Sequence, residues 1–191
     1  MNIDFLSVSS HKTYGPKGVG ALYVKKPNKI NALMYGGGHE HEVRPSTENI
    51  PGIVGFAKSV ELTSEKDILH MKNLRNMLIS ELLEIPDTHL NGPQEKRLCN
   101  NVNISFHFIE GESFLMHMDD QGIAVSTGSA CSSHSLKPSH VLMALGLKPE
   151  IAHGSIRFSL SRYATKKEIE YTIKVVKEVV SRLRKFSPLA R

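Results

Sequence analysis

Hydrophobic and polar positions alternate in different ways along the chain. Residues 3–10 and 21–26 are short apolar runs on either side of a glycine-rich turn at 15–20, which predicts two short strands. We expect the first strand to be buried and to turn polar at its end. From Val54 to about Glu84, apolar residues recur at helical spacing, and this stretch predicts one helix.

After Pro86, short strands and helices alternate. The pattern predicts strands at 101–108, 123–127 and 154–161 and helices at 111–122, 138–146 and 165–186. Thr165 and Glu168 fit a capping box at the start of the last helix. Its apolar stripe indicates ordinary core packing.

The two parts of the chain differ in whether they can form a stable fold on their own. Two short strands without a helical crossover bury too little to be stable alone, so the first of them indicates a larger sheet covered by helices. We therefore predict an α/β chain in three parts. These are the incomplete end of a larger domain at 1–55, a connecting helix at 56–85 and a small α+β domain at 86–191.

Composition excludes several classes of protein. No apolar run among the 191 residues is long enough to span a membrane, and Asp4 interrupts the only early apolar stretch. The two cysteines, Cys99 and Cys131, are too few for a disulfide framework and indicate a reduced, intracellular compartment. His39 and His41 are the nearest approach to a ligand pair, and we expect no metal site.

The formal net charge of the whole chain is +5, and much of the positive charge lies in its last quarter. The residues concerned are Lys166, Lys167, Lys174, Lys177, Arg182, Arg184 and Lys185. They are typical of the solvated face of an amphipathic helix. A docking surface for an acidic protein or an RNA is the alternative.

A cluster of reactive side chains follows the first strand. Ser9, Ser10, His11 and Lys12 lie where the apolar run ends, a usual place for ligand contacts in open α/β sheets. A lysine there could form a Schiff base with a carbonyl cofactor, and the neighbouring serine and histidine could bind a phosphate. An exposed lysine in a turn remains the alternative.

Arg157 lies in the strand predicted at 154–161. Ile156, Phe158 and Leu160 alternate with it, so the arginine faces away from the core. A guanidinium suits a carboxylate, which makes Arg157 a candidate anchor for an acidic substrate group. A surface arginine on the outer face of a sheet fits the same pattern.

Cys131 lies within VSTGSACSSHS, residues 125–135, among small residues that cannot form a core. We expect an exposed thiol on a mobile loop, which suits a nucleophile that collects a group at one site and delivers it at another. Cys99, at the entry to a predicted strand, is expected to be a spectator.

Four stretches together resemble the cysteine desulfurases, which are fold-type I enzymes dependent on pyridoxal phosphate. They are SVSSHKTYGPKGVGALYVKK, GGGHEHEVRPSTENIPGIVGFAKS, STGSACSS and AHGSIRFSLSRYATKKEIEYTI. The resemblance covers the chain from end to end. The loop around Cys131 and the ending RLRKFSPLAR resemble the housekeeping branch that supplies iron–sulfur cluster assembly.

The resemblance implies a cofactor site. Lys12 matches the lysine that binds pyridoxal phosphate covalently and later moves protons. Ser9 and His11 match phosphate-binding residues. Thr47 matches a threonine that reaches the phosphate across a dimer interface. The fold implied is the end of the large-domain sheet plus a complete small domain.

The resemblance also implies a reaction. Arg157 matches the arginine that binds the carboxylate of substrate L-cysteine, and Cys131 matches the nucleophile that becomes a persulfide and leaves L-alanine. The sulfur would pass to an iron–sulfur scaffold or to tRNA thiolation. The implied protein is a cytoplasmic homodimer, or one of the mitochondrial matrix in a eukaryote, and direct nucleic-acid binding is not expected.

The sequence departs from the family pattern in two ways. RPST, ending at Thr47, stands where the family has Arg-Ser-Gly-Thr, so Pro45 and Ser46 stiffen the turn. Family chains are also about twice this length, and most of the region that precedes the cofactor lysine in them has no counterpart here. We expect the isolated chain to be inactive. Selenocysteine lyase activity and a non-catalytic module that docks a sulfur acceptor are the alternatives.

Overall fold

A computed structural model describes residues 2–26, 30–127 and 138–187. The chain divides into two compact units, Met1–Ser64 and Glu65–Arg191. The α/β class predicted from the sequence is confirmed, with strands and helices in both units. Our division into 1–55, 56–85 and 86–191 stays a prediction.

In its described residues, the first unit contains a two-stranded ribbon and one α-helix. Strands β1 (Phe5–Ser9) and β2 (Gly20–Val24) are antiparallel, with Phe5 opposite Val24 and Ser9 opposite Gly20. Helix α1 (Ile50–Glu61) begins at the N-cap Asn49, whose side chain accepts a hydrogen bond from the backbone N–H of Gly52.

The prediction that the first strand is buried is wrong for this chain. Phe5 is 52% exposed and its neighbours along β1 are similarly open, as are Leu22 and Tyr23 on β2. The physical reason is that the described ribbon has only two strands, and a ribbon of two strands cannot cover its own apolar faces.

The single helix predicted from Val54 to about Glu84 is two helices. Helix α1 ends at Glu61, and helix α2 (Glu65–Leu83) begins the second unit. The Thr63 hydroxyl donates a hydrogen bond to the carbonyl of Ser59 at 3.2 Å. This side chain therefore satisfies a carbonyl that would accept a backbone N–H if the helix continued. Glu65 and Asp67 in the first turn of α2 favour a new start there.

The second unit is built on a four-stranded antiparallel sheet in the described part of the chain, in the order β3-β4-β6-β5. Its strands are β3 (Thr88–Leu90), β4 (Asn101–Phe106), β5 (Ser126–Thr127) and β6 (Ser155–Ser159). Its helices are α2, α3 (Gly111–Asp119), α4 (His140–Ala144), α5 (Pro149–His153) and α6 (Lys166–Phe186).

One face of this sheet forms the core with α2, α3 and α6. The buried cluster takes in the apolar positions of the central strands and of these three helices, including Leu78, Ile104, Phe114, Ile156 and Val176. The capping box predicted at the start of α6 is confirmed, since Thr165 and Glu168 bond each other reciprocally. The second unit therefore closes a hydrophobic core of its own.

Candidate functional site

The strand β1 leads directly into a 3₁₀ turn, Ser10–Thr13, which we call the lysine turn. His11 and Lys12 are exposed on it. Ser9 stands at its N-cap position but makes no capping hydrogen bond through its side chain. An amine, an imidazole and a hydroxyl thus lie together at the end of one strand, where a small anionic ligand could reach them.

Helix α1 holds the lysine turn in place. The Thr13 hydroxyl donates to the carbonyl of Ser10 at 2.9 Å and lies 3.1 Å from the hydroxyl of Ser59 on α1. Ser59 is buried and donates to the carbonyl of Phe56 at 2.8 Å. Ser59 was not predicted, because it is 46 residues from Thr13 and no local pattern in the sequence marks it.

The exit from the lysine turn is tightly packed. Tyr14 has a positive φ of 65°, and the N–H of Gly15 donates to the carbonyl of Ser10. A Cβ at Gly15 would lie 2.1 Å from the Ser10 Oγ and 2.9 Å from the Ser59 Oγ. A side chain at Gly15 would therefore displace the lysine turn from α1.

Thr47, the predicted cross-subunit phosphate ligand, is exposed in the same unit as the lysine turn. It follows a loop in which Glu40, His41 and Glu42 all have positive φ values, of 47°, 59° and 64°. Residues with a Cβ avoid this region, so the loop stores backbone strain. Its contact with a phosphate stays a prediction.

Arg157 lies on β6 in the second unit, and the predicted alternation around it is confirmed. Ile156 and Phe158 are buried in the core, while the Arg157 side chain is exposed on the opposite face of the sheet. Its cross-strand partners are Asn103 on β4 and Ser126 on β5. The guanidinium is therefore accessible to a carboxylate and surrounded by polar neighbours.

A buried amide network lies beside Arg157 on this outer face. The Asn91 amide donates to the Asn103 Oδ1 at 2.6 Å and to the Ser105 Oγ at 2.9 Å, and Ser105 donates back to the Asn91 Oδ1 at 3.3 Å. This network was not predicted. The signal was present in NVNISF, where polar residues at alternate positions indicate one polar face of a strand.

Cys131, the predicted nucleophile, lies outside the described residues, and its role stays a prediction. Cys99 is a free, half-buried thiol in the loop before β4. The buried Arg75 donates to the carbonyls of Arg97 and Leu98, next to Cys99 in the chain. Burial, followed by the nearby charge of Arg75, lowers the pKa of Arg97. These hydrogen bonds fix the backbone beside Cys99, as expected for a cysteine with a structural role.

Among residues 2–26, 30–127 and 138–187, no group of His, Cys, Asp or Glu side chains is arranged to hold a metal ion. Within the same ranges, no helix is long and apolar enough to cross a membrane.

Comparisons with known proteins place this arrangement among pyridoxal-phosphate-dependent proteins of fold type I. The family model for aminotransferase class V matches residues 1–172. The chain belongs to the class-V aminotransferase family.

Relatives within the family are named as cysteine desulfurases. The chain is 50% identical to cysteine desulfurase IscS of Dictyoglomus turgidum, over 98% of this chain and 49% of that protein. It is 51% identical to cysteine desulfurase IscS of Methanosarcina thermophila, over 99% of this chain and 48% of that protein. The chain spans about half the length of the curated relatives it matches.

Solved structures agree with the fold. The chain superposes on a NifS-like protein with a TM-score of 0.82 and 38% identity, covering 95% of this chain and 47% of that one. A NifS-like protein from Rickettsia africae gives a TM-score of 0.82 and 30% identity, covering 94% of this chain and 48% of that one.

Proposed function

We propose that the chain is part of a cysteine desulfurase, the part that carries the cofactor lysine, the arginine for the substrate carboxylate and the nucleophilic cysteine. The observation that carries this proposal is the similarity to cysteine desulfurases, at about 50% identity over nearly the whole of this chain. On this proposal, the chain works together with a region equivalent to the half of its relatives that it does not cover.

The lysine turn suits pyridoxal phosphate by its donor set. The Lys12 amine can bind the cofactor's aldehyde, while the Ser9 hydroxyl and the His11 imidazole can donate to its phosphate. All three are presented by one turn, which Ser59 fixes against α1. Ser9 is suited to a phosphate because its hydroxyl does not cap the turn. Thr47 would add a phosphate contact across a homodimer interface.

The proposed reaction removes the sulfur of L-cysteine. Arg157 binds the substrate carboxylate with a charge-assisted pair of hydrogen bonds. When bound, pyridoxal phosphate supplies an acceptor for the electron pair left on the substrate as its C–S bond breaks. The Cys131 thiolate attacks the substrate sulfur, forming the S–S bond of a persulfide. Lys12 Nζ gives a proton to the carbon that lost its sulfur, balancing the proton that the Cys131 thiol lost on becoming a thiolate, and the product is L-alanine.

The sulfur acceptor and the compartment are also proposals. We place the protein in the cytoplasm, as a homodimer that passes its sulfur to an iron–sulfur scaffold or another acceptor. The basic face of α6 contributes little to this proposal, because several of its lysines pair with glutamates. These pairs are Lys166–Glu170, Lys174–Glu178 and Lys177 with Glu81 and Glu84. Such pairing is typical of a solvated helix face.

Chemical fixation of the cofactor tests the assignment of Lys12. The chain is combined with the part of the Dictyoglomus turgidum protein that it does not cover, incubated with pyridoxal phosphate, reduced with borohydride and mapped by peptide mass. We expect one equivalent on Lys12 and none on Lys17, an exposed lysine five residues further along the same loop. Equal modification of both lysines, or of neither in an assembled complex, would contradict the proposal.

A further inference from the structure

A row of polar side chains crosses the outer face of the second unit's sheet at Arg157. Strand register places Asn103 directly opposite Arg157 on one side and Ser126 on the other. Asn91 continues the row beyond Asn103, through the bond from its N–H to the carbonyl of Asn103. Arg157 therefore has a polar neighbour from each adjacent strand.

Asn103 and Arg157 form the closer of the two kinds of antiparallel pair. The backbone bonds Phe106 N–H to Gly154 O and Leu160 N–H to Asn100 O mark the hydrogen-bonded pairs between β4 and β6. Pairs alternate along the strands, so Asn103 and Arg157 are a non-hydrogen-bonded pair. In such pairs the side chains approach most closely, about 4.5 to 5.5 Å between Cβ atoms.

The network beyond Asn103 fixes which end of its amide faces Arg157. Asn91 donates to the Asn103 Oδ1, so the amide oxygen points toward β3. Because the oxygen and the NH₂ group of an amide point apart, the Asn103 NH₂ group is directed away from Asn91. Ser105, which is completely buried, sets the orientation of Asn91 by exchanging hydrogen bonds with it.

We propose that Asn103 donates a hydrogen bond to the carboxylate of the amino acid bound at Arg157, and that Asn91 and Ser105 are positioning residues for it. A carboxylate offers about four lone-pair positions, of which a guanidinium fork fills two. The half-exposed Asn103 NH₂ fills a third. This inference rests on the proposed function, which makes Arg157 the carboxylate anchor.

A purely structural role accounts for only part of the network. Asn91 and Ser105 are buried and satisfy each other, as buried polar groups must. Asn103 is only half-buried, so its amide does not need the network to avoid an unpaired polar group. Its fixed orientation beside an exposed arginine is the feature that a ligand explains.

Amino-acid binding by the full 191-residue chain tests the inference without the cofactor. L-Alanine and L-alaninamide, which lacks the carboxylate, are titrated separately into isotope-labelled protein while the side-chain resonances of Arg157 and Asn103 are followed by NMR. We expect alanine to shift both resonances saturably and alaninamide to shift neither. Equal shifts with both ligands, or no saturable shift with alanine, would overturn the inference.

A matched pair of variants separates the amide from general electrostatics. Asn103→Asp keeps the acceptor for Asn91 but loses the donor, and we expect alanine to bind about threefold to tenfold more weakly. Asn101→Asp adds the same charge on the same face of β4, but opposite Ser159, and should change the affinity by less than about twofold. Asn103→Ser serves as a second variant if the aspartate disturbs folding. Equal effects at positions 101 and 103 would overturn the inference.

Two buried serines test the positioning role. Ser105 and Ser155 are directly paired and both fully buried, but Ser155 donates to the carbonyl of Ala152 and not to the amide network. Ser105→Ala and Ser155→Ala should both reduce stability, and only Ser105→Ala should weaken alanine binding. Loss of affinity in both variants, or in neither, would count against the positioning role.

This inference and the proposed function fail in different ways. If the complemented enzyme releases alanine from cysteine and Asn103→Asp leaves its KM unchanged, only the inference is wrong. If alanine binds at Arg157 and Asn103 as expected but the complemented enzyme never consumes cysteine, only the proposed function is wrong.

Discussion

Two buried serines at the lysine turn differ in how their hydroxyls are bonded. The Ser59 hydroxyl donates to the Phe56 carbonyl and contacts Thr13. The Ser10 hydroxyl is fully buried and has no hydrogen-bond partner among the described residues. A buried hydroxyl without a partner is destabilising relative to an apolar group of similar shape.

Alanine at these two positions should therefore act in opposite directions. Ser10→Ala removes the unsatisfied group. It should either raise the free energy of unfolding by up to about 1 kcal/mol or leave it unchanged. Ser59→Ala breaks the bonds that hold the lysine turn to α1 and should lower it by about 1 kcal/mol. Urea unfolding followed by circular dichroism measures both. A larger loss from Ser10→Ala than from Ser59→Ala would contradict this account of the turn.

The environment of a single residue could be predicted where the alternation of a strand carried the information. The exposure of Arg157 followed from its alternation with Ile156 and Phe158, since a strand turns successive side chains to opposite faces. Ser59 could not be found in this way, because its partner Thr13 is brought near only by tertiary packing. Long-range hydrogen bonds leave no local period in a sequence.

At the scale of the helix, Glu110 is the cap of α3. Its carboxylate accepts hydrogen bonds from the backbone N–H groups of Glu112 and Ser113, at 2.9 and 2.7 Å. Burial alone would raise the pKa of Glu110, but these bonds and the Ser113 hydroxyl hold that pKa below its ordinary value. The charged form is therefore favoured in the folded protein.

The sign of the pH dependence follows from the lowered pKa. Glu110 contributes its stabilisation fully above its ordinary pKa, near 4.3, and loses it as the pH falls through the lower folded-state value. Glu110→Gln should thus lose less stability than the parent chain between pH 6 and pH 3. Glu112→Gln, an exposed residue of the same turn, is the control and should follow the parent. Urea unfolding at each pH makes the comparison, and identical acid sensitivity of all three proteins would refute the capping role.

Helix boundaries were predicted well where a side-chain cap marked them and poorly where none was recognised. The start of α6 was found from Thr165 and Glu168. The break between α1 and α2 was missed, because the apolar spacing continues across it while Thr63 bonds back to Ser59. Apolar periodicity reports which face packs, and it does not report where the backbone hydrogen bonds stop.

At the scale of the whole molecule, the ribbon of β1 and β2 exposes apolar side chains that a complete sheet would cover. Phe5, Leu6, Leu22 and Tyr23 are each about half exposed. We expect the isolated chain to self-associate, because burying such side chains is favourable by about 1.5–3 kcal/mol for each one fully buried. Sedimentation should give a mass above the 21.2 kDa of one chain at micromolar concentration.

A lysine on the ribbon tests the source of this association. Leu22→Lys should shift the protein toward the mass of a single chain. Leu33→Lys changes a leucine that is 95% exposed in the same unit but outside the ribbon, and it should have no such effect. If the parent chain is monomeric, or if both substitutions change its mass equally, the ribbon is not the surface that drives self-association.

The sequence predicted the organisation of the second unit more fully than that of the first. Most apolar positions of the second unit's central strands and of α2, α3 and α6 form one buried core, so local periodicity and tertiary packing agree there. The apolar pattern of the first unit is buried only in part by the residues of this chain. There the sequence indicates a sheet larger than the one that the described residues form.

Release of alanine from L-cysteine is the most direct test of the central claim that this chain carries the desulfurase nucleophile and the cofactor lysine. The chain is combined with the uncovered part of the Dictyoglomus turgidum enzyme and pyridoxal phosphate, and assembly is checked by size exclusion. We expect alanine release by the parent chain and by Cys99→Ser, and none by Cys131→Ser. An assembled complex that releases no alanine, or a Cys131→Ser complex as active as the parent, would contradict the account.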